Sequence, residues 1–214
     1  MDKHTLIAAV FTPFDMNLNL DLSKIGQIVD YLVKAGVKGF FVAGTTGEGL
    51  SLGVKERMSL LEEYVNQASN RVEIIAHVGS LSIQEAKELA EHAQATGANA
   101  ISLLPPFYFK SVRLEDICEF FAQVARVARK IPLYMYYIPS LTNISFDMKQ
   151  LLANLSKIEN FAGVKYSTPN LIELSSCVSH FKDKEFYFGV DEMMMHALLL
   201  NITKFIGSTY NFAP

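Results

Sequence analysis

Short apolar runs of five or six residues recur from one end of the chain to the other, at 6–11, 39–43, 73–78, 100–104, 133–138, 161–166, 185–190 and 204–208. Apolar residues fill successive positions in them rather than alternate ones, as a strand buried on both faces requires. The segments between, 22–35, 54–68, 83–96, 114–129, 146–155, 171–181 and 192–200, carry their apolar residues at helical spacing. In 83–96, Ala86, Leu89, Ala90 and Ala93 form one stripe, with Glu85, Lys87, Glu88 and Glu91 mostly off it. Asp21 or Ser23, Ser82, Ser145 and Asp147 stand where helix N-caps are needed. Gly36 and Gly97, just after helices, and Gly163, at a strand, suit tight connections.

Strict alternation of this length predicts a parallel α/β fold, either a doubly wound sheet or a (β/α)8 TIM barrel, and about eight strands favour the barrel. With no linker, low-complexity segment or charge run, residues 1–214 read as one domain. The eighth run ends near Ser208 with six residues left. A complete barrel carries a helix after its last strand. The expectation is therefore a barrel truncated after strand eight, lacking the final helix. The outer face of that strand and the flanks of the first and seventh helices would then form an apolar patch, or need a partner to cover them.

Composition narrows the function classes. Half of the 214 residues are hydrophobic and 19% are charged, which excludes a disordered chain. A net charge of −3 and a pI near 6.0 leave no electrostatic footprint for nucleic acid, nor a basic cluster for a membrane surface. No apolar stretch is long enough to span a bilayer. The start, with Thr12, Pro13 and Phe14 after its short apolar run, does not read as a signal peptide. Two cysteines, Cys118 and Cys177, cannot make a disulfide framework, so a cytoplasmic setting is the simplest expectation.

A barrel keeps its chemistry at the C-terminal ends of its strands. Lys165 stands at the end of the apolar run 161–166, and strand parity puts it on one face with Gly163, opposite Ala162 and Val164. Facing inward, its amine would lose its charge through desolvation and could attack a ketone to form a Schiff base. Facing outward, it is a lysine snorkelling to solvent. Tyr136 could shuttle a proton near such an imine, or be a core aromatic; it shares a face with Tyr134, not with Tyr137. The GTTGEG turn at 44–49 could hold an anion through its amides and the hydroxyls of Thr45 and Thr46, or could be a plain strand-to-helix turn. Asp191 and Glu192 could accept hydrogen bonds from a polyol, or be an acidic helix start. The histidines, His4, His77, His92, His180 and His196, have no ligand spacing, so no metal site is expected.

Five segments taken together resemble one family. They are GTTGE at 44–48, Tyr136-x-Ile138-Pro139, Gly163-Val164-Lys165, GVDE at 189–192 and GSTYN at 207–211. In this order and spacing the chain resembles, over essentially its whole length, the pyruvate-dependent class I aldolases, the family that includes N-acetylneuraminate lyase and dihydrodipicolinate synthase. The resemblance implies Lys165 as the Schiff-base lysine and Tyr136 as the proton-transferring tyrosine. It implies Thr45 and Thr46 as holders of the pyruvyl carboxylate and Ser167 as a hydroxyl near the substrate. Gly189, Asp191, Glu192 and Ser208 match positions that contact a sugar chain. No cofactor is implied, because the lysine supplies the electron sink.

Leu141 stands where synthases of this family carry an arginine for a second carboxylate, and GVDE and GSTYN look like the sialic acid branch. The activity so implied is carbon–carbon lysis of N-acetylneuraminate to N-acetylmannosamine and pyruvate, in a homotetramer. The alternatives are another pyruvate-dependent aldolase or dehydratase acting on a sugar acid, or a non-catalytic truncated form that binds a ligand or partner. Two departures stand out: Phe109 replaces a second tyrosine of many bacterial members, and the helical region after strand eight is missing.

Overall fold

The computed structural model describes residues 4–109 and 113–214. Eight parallel strands close into a barrel in sequence order: β1 Thr5–Ala9, β2 Gly39–Val42, β3 Glu73–His77, β4 Ala100–Leu103, β5 Leu133–Tyr137, β6 Phe161–Tyr166, β7 Glu185–Phe188 and β8 Lys204–Gly207. β8 completes the cylinder by pairing with β1 from Thr5↔Lys204 to Ala8↔Gly207. The expected TIM barrel is the observed fold, and the strands are the expected runs, most of them shortened by a residue or two at the C-terminal end. Those last residues leave the ladder to build the loops over the barrel mouth.

The helices are α1 Ile25–Lys34, α2 Val54–Ala68, α3 Ile83–Thr96, α4 Leu114–Val127, α5 Pro139–Thr142, α6 Met148–Leu155, α7 Leu171–His180 and α8 Met194–Leu199. α2 and α3 have the bounds that their periodicity predicts. The single turn α5 was not expected; Pro139 starts it, at a first helical position that needs no amide donor. The Ser82 side chain caps α3 by accepting from the Glu85 amide, and Asp147 caps α6 by accepting from the Gln150 amide at 2.8 Å. Ser145 is not a cap; Asp147 takes that place. Among the described residues no helix is long and apolar enough to cross a membrane.

The core has two layers. Ile7, Ala9, Phe41, Ile75, Ala100, Tyr134, Tyr136, Tyr187 and Ile206 fill the cylinder. The alternate residues of the same strands, Ala8, Phe40, Ile74, Ala76, Ile101, Met135, Val164 and Phe205 among them, pack outward against the helices. Two burials per strand account for the continuous apolar runs. Phe205, the outward residue of β8, was expected to lie bare; it is fully buried, in the same outer cluster as Ala197, Ile202 and Tyr210. The large exposed apolar side chains in this part of the chain are Met195, Leu199 and Phe212.

β6 departs from simple parity. Its pairing with β5 jumps from Leu133↔Phe161 to Tyr134↔Gly163, so Ala162 is an extra residue. The bulge turns Ala162 inward, against the expectation that it would share a face with Val164, while Val164 points outward. Gly163 makes this possible: a Cβ there would sit 2.0 Å from the Glu185 carbonyl oxygen of β7.

Candidate active site at the barrel mouth

Lys165 points into the barrel and is 4% exposed. Its Nζ lies 3.9 Å from the centre of the Phe41 ring and 4.0 Å from that of Tyr136. β2 and β5 present those two rings from the inner layer, edge to face at 5.6 Å between centroids. Burial pushes the lysine below its ordinary value, with the Tyr136 phenol and the Asp191 carboxylate pulling the other way. The amine is thus kept from water yet flanked by groups that tolerate its charged form.

The Tyr136 hydroxyl meets Thr45 Oγ1 at 3.2 Å, which joins the tyrosine at the end of β5 to the glycine-rich turn after β2. That turn is tightly folded. The Gly49 amide donates to the Gly44 carbonyl at 3.0 Å, and a Cβ on Gly49 would fall 1.8 Å from the Ala43 carbonyl oxygen. Glu48 takes a left-handed conformation, φ 52°. Thr45 is exposed and Thr46 half-buried. A pocket of about 240 Å³ opens beside Thr45, lined also by Leu50, Leu104, Phe107, Ile138 and Leu141.

Across the mouth, Asp191 begins the turn that leads into α8. Its Oδ2 accepts from the Thr209 amide at 2.9 Å and from the Thr209 hydroxyl at 2.8 Å. Its Oδ1 is buried without a partner, as is the Ser167 hydroxyl. Two glycines make room for these atoms: a Cβ on Gly207 would lie 1.9 Å from Asp191 Oδ1, and one on Gly189 would lie 2.2 Å from Ser167 Oγ. Buried polar atoms without partners are costly and usually mark a place for a ligand or water. Glu192 and Ser208 are exposed at the rim. Tyr108 and Phe109 are exposed too, ring against ring at 5.2 Å. Among the described residues no group of histidine, cysteine, aspartate or glutamate side chains could hold a metal ion.

Sequence reading gave no role to three residues here. His77, at the end of β3, is fully buried and packs edge-on to Tyr136 at 5.8 Å. Arg57 of α2 is 4% exposed and donates to the carbonyls of His77 and Gly79 at 2.6 and 2.8 Å. Asn211 donates to the carbonyls of Ala9 at 2.8 Å and Ser208 at 2.9 Å, tying the loop after β8 to the end of β1. The available signal was position: His77 shares the inward parity of Ile75, and an imidazole on that face of a barrel strand is out of place as mere filler.

The strands close into a cylinder with a desolvated amine set into its C-terminal mouth, the end at which barrels of this kind carry their sites. The chain belongs to the dihydrodipicolinate synthetase family, whose model matches residues 2–214. The N-acetylneuraminate lyase of Rattus norvegicus is 43% identical over 212 residues, 97% of this chain and 66% of that protein, so the chain spans just under two thirds of its relative's length. Among solved structures, the N-acetylneuraminate lyase of Proteus mirabilis superposes with a TM-score of 0.95 at 33% identity, over 98% of this chain and 72% of that one. A Ruminococcus gnavus sialic acid aldolase, solved as a catalytic lysine mutant, superposes with a TM-score of 0.93 at 26% identity, over 98% of this chain and 68% of that one.

Proposed function

We propose that this barrel is a Schiff-base class I aldolase that cleaves N-acetylneuraminate to N-acetylmannosamine and pyruvate. The observation that carries the reading is the Lys165 amine, buried between the Phe41 and Tyr136 rings and lowered in basicity by that burial. Its likeness to N-acetylneuraminate lyases supports the choice of substrate.

In this reading the neutral amine adds to the keto carbon of the open-chain sugar acid, and loss of water leaves an iminium. Thr45 and Thr46 hold the neighbouring carboxylate so that the ketone is aligned before attack. The hydroxyl on the carbon β to the keto group then gives up its proton through Tyr136. The carbon–carbon bond breaks, its electron pair moves toward the iminium nitrogen, and N-acetylmannosamine leaves as an aldehyde. The remaining enamine takes a proton on carbon, and water hydrolyses the pyruvyl iminium to pyruvate and the free amine. Ser167, Gly189, Asp191, Glu192 and Ser208 hold the hydroxylated tail, the unpartnered oxygens of Ser167 and Asp191 supplying acceptor positions. Homotetramer formation and a cytoplasmic site of action belong to the same proposal; light scattering of the purified chain checks the first.

Borohydride reduction in the presence of pyruvate tests the chemistry. The expected result is one reduced pyruvyl group, mapped by peptide mass to Lys165, together with release of N-acetylmannosamine from N-acetylneuraminate. Folded protein that gains no mass would overturn the aldolase reading. Adduct formation with pyruvate alongside turnover of a different sugar acid, and none of N-acetylneuraminate, would overturn the substrate.

A further inference from the structure

The His77 ring lies at the meeting point of the structures around Lys165, and the mechanism leaves it unused. Its Nδ1 is 3.0 Å from the carbonyl oxygen of Ala43, which can only accept, so Nδ1 carries the proton. Arg57 Nη2 comes within 3.4 Å of the same nitrogen, a longer approach, and already donates to the His77 carbonyl at 2.6 Å. Nε2 is then the unprotonated nitrogen, and it is buried with no partner. Gly79 leaves space for it: a Cβ there would lie 2.7 Å from Nε2.

Ala43 is the residue that turns the chain out of β2 and into the glycine-rich segment bearing Thr45 and Thr46. It does so in a left-handed conformation, φ 56°, which an alanine adopts only when its surroundings hold it there. The His77 hydrogen bond is one such constraint. The same ring packs against Phe41 at 6.0 Å and Tyr136 at 5.8 Å, the two rings that enclose the Lys165 amine. Arg57 in turn fixes the backbone on both sides of Val78.

We propose that His77 is a positioning residue: by donating from Nδ1 to the Ala43 carbonyl, it holds the Thr45–Thr46 turn in register with Lys165. The partners of the ring are the Ala43 carbonyl and the side chains of Arg57, Phe41 and Tyr136, so its hydrogen bond acts through the turn. Its catalytic meaning rests on the aldolase reading above, whereas its structural meaning does not.

Two variants separate the hydrogen bond from the bulk of the ring. In His77→Leu the donor is gone; in His77→Asn an amide nitrogen can donate from nearly the Nδ1 position. His77→Leu is expected to raise the pyruvate concentration for half-maximal borohydride trapping about tenfold, as loss of a buried hydrogen bond allows. It is also expected to speed amide hydrogen exchange across 44–49. His77→Asn is expected to bring both within about threefold of the unmodified protein. Two variants that behave alike, whether both impaired or both unaffected, would overturn the proposal. If the unmodified protein traps no pyruvate, the aldolase reading fails by itself and hydrogen exchange decides: an unchanged turn in His77→Leu overturns the role of His77. Should neither variant fold, nitrogen NMR of His77 in the unmodified protein decides, because a proton found on Nε2 instead of Nδ1 contradicts the bond on which the proposal stands.

Discussion

In the proposed mechanism Lys165 and Tyr136 divide one problem between them. The lysine must be unprotonated to attack, and burial moves it that way. Because its folded value is depressed, the amine stays neutral at lower pH than an exposed lysine would. The rate of pyruvate trapping should therefore fall as pH drops, with a midpoint below the ordinary lysine range, as a pH series of single-turnover trapping will show. The linkage has a matching sign: the unfolded chain binds that proton more tightly, so this group lowers fold stability as pH falls from the unfolded lysine value toward the folded one. Tyr136 has the other task. Tyr136→Phe keeps the ring beside Nζ and removes the hydroxyl that meets Thr45. The expected outcome is a kcat lower by about 10²- to 10⁴-fold with trapping of pyruvate retained, measured as steady-state lysis beside single-turnover reduction.

β6 shows how one element can set the aim of a side chain. Without the extra residue at Ala162, the strand would have to choose between burying Phe161 outward and turning Lys165 inward; the bulge allows both. Gly163 carries the cost of that kink, at φ 157° and pressed against the Glu185 carbonyl of β7. Gly163→Ala should lose about 3 kcal/mol or more of stability, because a backbone atom of the central sheet, not a flexible side chain, blocks the new methyl group. Chemical denaturation measures that loss. If enough folded protein remains, its trapping rate should fall too, since any movement of β6 displaces Nζ from the two rings. Cap changes on the outer helices should behave differently: Asp147 lies far along the chain from any strand end, and its bond to the Gln150 amide serves α6 alone.

The barrel as a whole is held at both ends by polar groups. At the mouth, Asn211 ties the last loop to β1 across 202 positions of sequence. At the opposite end, where the strands begin, Glu185 accepts hydrogen bonds from Tyr134 at 2.5 Å and from Lys204. Partial burial works to raise that carboxyl, and the Lys204 and Tyr134 bonds more than offset it, leaving it below the usual glutamate value. A depressed carboxylate contributes stability that is present above its unfolded value and is lost as pH falls through its folded value. Lys204→Met should therefore destabilise the barrel at neutral pH, and the gap from the unmodified protein should narrow in acid as Glu185 takes up a proton. Thermal unfolding across a pH series gives the comparison.

Much of this was legible in the order of residues. Unbroken apolar runs separated by amphipathic segments require strands covered on both faces, and such local periodicity is enough to place α2 and α3 to the residue. The small and polar residues of the candidate site stand at strand ends, where chain order alone puts Lys165, Tyr136, Thr45 and Asp191. Other features depended on contacts between distant segments. Parity left open which face of β6 looks inward, and the bulge at Ala162 breaks parity altogether, because a register shift exists only between two strands. The Arg57–His77–Ala43 chain joins a helix, a strand end and a turn, so no window along the sequence contains it. Periodicity is a property of neighbours and reports which residues must be buried; closure of the cylinder brings strands together from opposite ends of the chain, and that geometry settles what the buried residues touch.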